Sequence, residues 1–196
     1  VDRPFIPKSP MDFMAITMLP QSSEMLIDKK MNSFNIIHSL EADKLAEFNN
    51  NIQRIADRTR LGIPITIASD PRHGNENNPG AALFTPAFSQ WPSSLGLAAT
   101  RDTVLVRAFA NIARQEYLAT GIRLALHPLA DLATEPRWGR QNGTFGEDAE
   151  LSAVMTKAYV LGFQGDTLSN SSVACMTKHF SGGGPQENGE DAHFEY

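Results

Sequence analysis

The chain has 196 residues, 41% of them apolar, with 17 Lys and Arg against 22 Asp and Glu for a net charge of −5 and a single cysteine. That composition can close the core of one domain, while the interspersed charges offer no basic stripe for nucleic acid or an anionic membrane surface. One cysteine excludes an intrachain disulfide framework and any CxxC metal site, and no run of 18 apolar residues is present to span a membrane.

The start at Val1 has neither an initiator Met nor a signal-peptide apolar region, so a processed or internal end is expected there. The compartment stays open. Residues 13–18 are a candidate early strand. From residue 34 onward, short β-branched runs alternate with apolar stripes of period near 3.6, which predicts βα units on a parallel sheet. The first strand is expected over 34–37. A helix over 41–59 follows, with Leu45, Phe48, Ile52 and Ile55 inward, and Gly62 and Pro64 stop it. The run 63–68 reads as a buried strand that delivers Asp70 to its carboxyl end. A long polar stretch from Gly74 to Pro92 is expected to overhang the site.

Asp102 is the expected N-cap of a helix that ends at Gly121 and buries Leu105, Ala108, Phe109, Ile112 and Ala113. A strand over 123–129 leads into a polar loop from Asp131 to Glu147. A helix burying Leu151, Val154, Met155, Ala158 and Tyr159 ends near Gly162, and 173–176 is the last strand. The fold class is therefore α/β, and 1–196 is treated as one unit. With four or five strands and about three helices it amounts to half of a barrel, short of the ~250 residues typical of a closed eight-fold one. The end at His193-Phe194-Glu195-Tyr196, straight after a Gly-rich loop, is expected to interrupt the fold.

Ligands of parallel α/β folds sit beyond the carboxyl ends of the strands, which singles out Asp70, Asp131 with Arg137 and Arg140, and Lys178 with His179. Carboxylates mixed with cations suit a neutral ligand rich in hydroxyls, such as a sugar, because vicinal hydroxyls bridge an acceptor and a charged donor. Trp138 or Trp91 is a candidate stacking face. Plainer roles compete. Asp70 before Pro71 can cap a turn, and Arg137 and Arg140 can pair with Glu147 and Asp148. Lys178, at the end of a buried run, needs a partner. His38, His73, His127 and His193 are expected to be structural or surface residues, and Cys175 an inert core thiol. Gly182-Gly183-Gly184 suggests a phosphate cradle, but GxxxxGK[ST], HExxH and GxSxG are all absent. Asn142-Gly143-Thr144 and Asn170-Ser171-Ser172 match the glycosylation pattern and are treated as chance.

Five ordered motifs go further: Arg60-Leu61-Gly62-Ile63-Pro64, Ser69-Asp70-Pro71-Arg72-His73-Gly74, Gly96-Leu97-Ala98-Ala99-Thr100, Glu135-Pro136-Arg137-Trp138-Gly139-Arg140 with Phe145-Gly146-Glu147-Asp148, and Lys178-His179-Phe180. Over about residues 32 to 191 the chain closely resembles the N-terminal domain of glycoside hydrolase family 3. The resemblance implies the first half to two-thirds of a (β/α)8 barrel, with the later strands and an α/β sandwich domain outside these residues. It implies a retaining β-glycosidase, foremost a β-glucosidase, acting on nonreducing-end residues of a β-glucoside or β-xyloside oligosaccharide without a cofactor. Asp70, Arg140, Lys178 and His179 would hold sugar hydroxyls, and Arg137 and Trp138 would shape their loop. The family nucleophile lies in a later Ser-Asp-Trp-like motif and the acid/base in the second domain, so no catalytic carboxylate is expected here. Family members that cleave N-acetylglucosaminides carry a His where this chain has Gly183, which argues against that substrate. The alternative from another class is a noncatalytic sugar-binding or scaffold half barrel. Open strand edges would call for the rest of the polypeptide or for self-association.

Overall fold

Four short strands line up in chain order as one parallel sheet: β1 (Ser33–Asn35), β2 (Thr66–Ser69), β3 (Leu124–Ala125) and β4 (Ala174–Cys175). The computed structural model describes residues 21–37, 40–74, 85–180 and 182–192. Phe34 lies opposite Ile67, Ser69 opposite Ala125, and Ala125 opposite Cys175. Parallel neighbours need a crossover. Helix α1 (Ser22–Ile27) precedes β1, α2 (Ala42–Asp57) joins β1 to β2, α3 (Ser94–Ala99) and α4 (Thr103–Thr120) join β2 to β3, and α5 (Ala149–Gln164) joins β3 to β4.

Local chemistry explains the boundaries. Asp102 Oδ1 accepts from the amides of Val104 and Leu105 at 2.9 and 3.0 Å, and Gly121 closes the same helix at φ +83°. Asp148 caps α5 through the Leu151 amide at 2.8 Å. The second strand begins later than the apolar run because Pro64 has no N–H to donate and Ile63 is exposed, so pairing starts where Thr66 donates to the Asn32 carbonyl. Helices α1 and α3 escape the periodicity reading because six residues are too few to show it.

Two helix faces differ from expectation. On α4 the buried residues are Val106, Phe109, Ala110, Ala113, Tyr117 and Thr120, whereas Ala108 is exposed and Ile112 is 37% exposed. On α5, Ser152 and Gly162 are buried while Val154 is exposed. The cause is a close crossing of the two helices. A Cβ on Gly162 would lie 2.4 Å from the Ala110 Cβ and 2.7 Å from the Arg107 carbonyl oxygen, so small residues rather than large ones set the contact. The core gathers Ile67 and Ala125 from the sheet, Leu45 and Ile52 from α2, and Phe109, Tyr117, Tyr159 and Phe163 from α4 and α5. The candidate strand over 13–18, His38, His193 and the middle of the 74–92 stretch lie outside the described residues. No helix among the described residues is long and apolar enough to cross a membrane.

Candidate functional site

The carboxyl ends of the four strands carry Asn35, Asp70, the segment from His127 to Asp131, and Lys178 with His179. Beyond β3 and β4 a second short pairing, Leu129 with Lys178, sets the register: Ala130 donates to the Lys178 carbonyl at 2.7 Å and Lys178 to that of Pro128 at 3.0 Å. This backbone ladder places the Lys178 ammonium 2.9 Å from Asp70 Oδ1. The other carboxylate oxygen accepts from Asn35 Nδ2 at 3.1 Å. Asp70 therefore does not cap a turn, and Lys178 has the partner that its position requires. A carboxylate offers about four acceptor positions and an ammonium three donors, so this pair keeps bonding capacity for a ligand. Both side chains remain partly open to solvent.

A second cluster stands beside the first in sequence. Asp131 is buried, and its Oδ1 accepts from the backbone amides of His179 at 3.1 Å and Gly183 at 2.6 Å. Its Oδ2 lies 2.7 Å from His179 Nδ1. A carboxylate at that nitrogen fixes the proton on Nδ1 and leaves Nε2 of the half-exposed ring for another partner. The glycine triplet is thereby accounted for: the Gly183 amide is engaged by a carboxylate, and a Cβ on Gly184 would meet the Leu132 carbonyl oxygen at 2.8 Å. A phosphate there would face Asp131, which overturns the cradle reading.

The third cluster corrects two expectations. Arg140 pairs with Asp191, Nε to Oδ2 at 2.5 Å, rather than with Glu147 or Asp148. The same oxygen accepts from Trp138 Nε1 at 2.9 Å, and the Arg140 guanidinium sits 5.4 Å from the Trp138 ring centroid. Trp138 is 1% exposed, so it supports Arg140 and offers no stacking face. Trp91 is half-buried against Phe109 and donates to Ser89 Oγ. Arg137 joins none of the three clusters; it is exposed and grips its neighbour Glu135, whose carboxyl it holds down at about 2 through hydrogen bonds.

The loops after β3 and β4 are laced together at four levels: Asp131 to His179 and Gly183, Leu132 against Gly184, Arg137 against Gly189, and Trp138 and Arg140 to Asp191. Asn35 and Asp191 join these clusters and are absent from the sequence-based candidates. Asn35 breaks an apolar run at a strand end, a signal that was there to use. Asp191 follows a Gly-rich loop and carries none.

Burial pushes the Cys175 thiol up to about 12, which fits an inert core cysteine. His73 and His127 are buried in the aromatic core, as structural histidines should be. Among the described residues, no three His, Cys, Asp or Glu side chains lie close enough to hold a metal ion.

The sequence profile described as "Glycosyl hydrolase family 3 N terminal domain" matches residues 11–196. "Beta-glucosidase C" of Emericella nidulans is 56% identical over 178 residues, covering 89% of this chain and 29% of that protein. "Periplasmic beta-glucosidase/beta-xylosidase" of Dickeya chrysanthemi is 47% identical over 183 residues, covering 91% and 28%. The solved structure of a beta-glucosidase from Listeria innocua in complex with isofagomine superposes with a TM-score of 0.67 at 25% identity, over 90% of this chain and 26% of that one. The chain thus spans under a third of the length of these relatives. Its parallel strands, joined by helical crossovers, form part of a barrel-like α/β fold, and the chain belongs to glycosyl hydrolase family 3, whose N-terminal domain profile matches residues 11–196.

Proposed function

We propose that this chain supplies the sugar-binding wall of a retaining β-glucosidase that releases nonreducing-end β-D-glucosyl residues. The observation that carries the reading is the Asp70 and Lys178 pair, held at 2.9 Å at the carboxyl end of the sheet with Asn35 on the second carboxylate oxygen. Two adjacent hydroxyls of a pyranose can donate to such a carboxylate and accept from such an ammonium, through charge-assisted bonds about twice as strong as neutral ones. His179 Nε2 and the Arg140 guanidinium supply further contacts, and Arg137 and Trp138 shape the loop that holds Arg140. Relatives named for β-glucosidase and β-xylosidase activity support the substrate class.

Retaining hydrolysis uses two carboxyl groups about 5 to 5.5 Å apart, one attacking the anomeric carbon and one protonating the leaving oxygen. In this reading both belong to the portion of the relatives that these residues do not span. Asp70, engaged by Lys178 and Asn35, binds hydroxyls more tightly as the ring flattens toward the transition state and forms no covalent bond. The test uses the full-length protein with aryl β-glucoside and β-xyloside substrates and a 2-fluoro glycoside that traps the covalent intermediate. Asp70→Asn is expected to lower kcat/KM by about 10- to 100-fold, the worth of one charge-assisted bond, while the adduct forms on another carboxylate. An adduct on Asp70, or sugar binding with no turnover by the unaltered protein, would refute the proposal.

A further inference from the structure

Beneath Asp70 lies a run of polar groups that neither the strand pairing nor the three clusters requires. Tyr117 Oη, from α4, donates to the Asp70 backbone carbonyl at 3.0 Å. A phenol has one proton, so once it is given to Asp70 the Tyr117 oxygen can only accept from its other neighbour, His127 Nε2, also at 3.0 Å. That places a proton on Nε2. Nδ1 of the neutral ring is then an acceptor, and Tyr159 Oη, from α5, lies 2.6 Å from it. Every donor in the series points one way, from Tyr159 through His127 and Tyr117 to the Asp70 carbonyl.

The ring is held neutral. Burial lowers the His127 pKa well below its ordinary value, with His73 and Lys178 adding to the effect, and burial raises both tyrosines. A neutral ring is the form that this donor order requires. All three side chains are nearly inaccessible and are surrounded by Phe109 and Phe163. Phe or Leu would fill such a core more cheaply than polar groups that must all be satisfied. A polar series in that place invites a reason beyond packing.

We infer that Tyr117, His127 and Tyr159 are positioning residues for Asp70, a backbone clamp that sets the direction in which its carboxylate meets a sugar; the inference rests on the sugar-binding role proposed above. The carbonyl that receives the Tyr117 proton also accepts from Ser69 Oγ at 2.8 Å, and Ser69 Oγ in turn accepts from Arg72 Nε at 2.6 Å. Pro71 holds Asp70 out of the helical region from the other side. With the peptide plane fixed at both ends, the Cα–Cβ bond of Asp70 has one direction, and the bonds to Lys178 and Asn35 then select one side-chain rotamer. The series reaches α4, α5 and the end of β3, so Asp70 is referenced to the rigid body of the domain rather than to its own loop.

The experiment measures kcat/KM of the full-length enzyme for a β-glucoside and for its monodeoxy analogues. The hydroxyl read by Asp70 is the one whose deletion no longer matters in Asp70→Asn. Tyr117→Phe, which removes one oxygen and keeps the ring, is expected to lower kcat/KM for the parent glucoside about tenfold, the worth of one hydrogen bond, with far less effect on that deoxy analogue. His127→Phe should behave alike. His127→Gln, which retains a donor and an acceptor, should recover most of the discrimination. A role in packing alone lowers the melting temperature and scales all substrates equally. Wild-type discrimination in Tyr117→Phe and His127→Phe, with discrimination lost in Asp70→Asn, overturns the inference. Intact discrimination in Asp70→Asn removes the sugar-binding reading itself, and this inference with it.

Discussion

Asp131 offers the sharpest perturbation, because one buried carboxylate satisfies three donors on a single loop. Asp131→Ala removes the acceptor of the His179 and Gly183 amides and of the His179 ring. The ring is half-exposed and can turn to water, but the two amides lose bonds to a charged group worth about 1.5–3 kcal/mol each. Together that is about 3–6 kcal/mol of local stability, or on the order of a 10²- to 10⁴-fold faster exchange of those amides. Asp131→Asn behaves differently. Its carboxamide oxygen can still face both amides, while its NH₂ faces His179 Nδ1 and forces the ring proton onto Nε2. The assay is hydrogen exchange by mass spectrometry on a peptide spanning 178–184 of the full-length protein, alongside kcat/KM for a β-glucoside. The expected outcome is fast exchange and lost activity for Asp131→Ala, but near-native exchange with lowered kcat/KM for Asp131→Asn. Native exchange in Asp131→Ala would show that the carboxylate does not hold the loop.

Gly162→Ala, despite better helix propensity, should destabilise by about 1–3 kcal/mol in denaturant unfolding, since its Cβ would lie 2.4 Å from that of Ala110. Native protein at pH 8 should resist thiol alkylation at Cys175, whose thiol is pushed up to about 12 by burial, and should react once unfolded; rapid native labelling would contradict the burial. The Glu116 carboxyl is lowered by its bonds from His73 and the Ser89 amide, which outweigh the opposing effect of burial. A depressed carboxylate stabilises the fold above its unfolded value of 4.5 and loses that contribution as pH falls through the folded value. The stability gap between wild type and Glu116→Gln should therefore be full near pH 6 and close below pH 4.5, and a gap that is independent of pH would contradict the assignment.

The parts of the site that were legible are those written locally. Asp70 and the Lys178-His179 pair each begin two residues past the end of an apolar run, and the end of a strand in a parallel sheet is where a polar residue can face a ligand. One helix announced its ends through Asp102 and Gly121, whose roles depend on neighbours two to four residues away. The helix faces were harder. Counting large apolar residues put Ile112 and Val154 inside, whereas a glycine and an alanine decide how close α4 and α5 come. Arg140 shows the limit of reading along the chain. Glu147 and Asp148 lie nearby in sequence, yet its partner is Asp191, brought in by the packing of Gly184 and Gly189 on the preceding loop. Trp138, which as an aromatic in a polar loop reads as a ligand platform, is instead buried against that pair.

The separations along the chain of the site's own bonds carry a consequence for how the protein is made. Asn35 meets Asp70 across 35 residues, Asp131 meets His179 across 48, Arg140 meets Asp191 across 51, and Lys178 meets Asp70 across 108. Loop-closure entropy must be met before contacts of that span contribute anything, so they form late, after local helices and neighbouring strands are in place. A chain folded only through β3 lacks the Lys178 ammonium that pairs with Asp70. On the proposed sugar-binding reading, recognition by this pair waits on the docking of β4, and a saccharide bound to it would stabilise only chains in which β4 has docked.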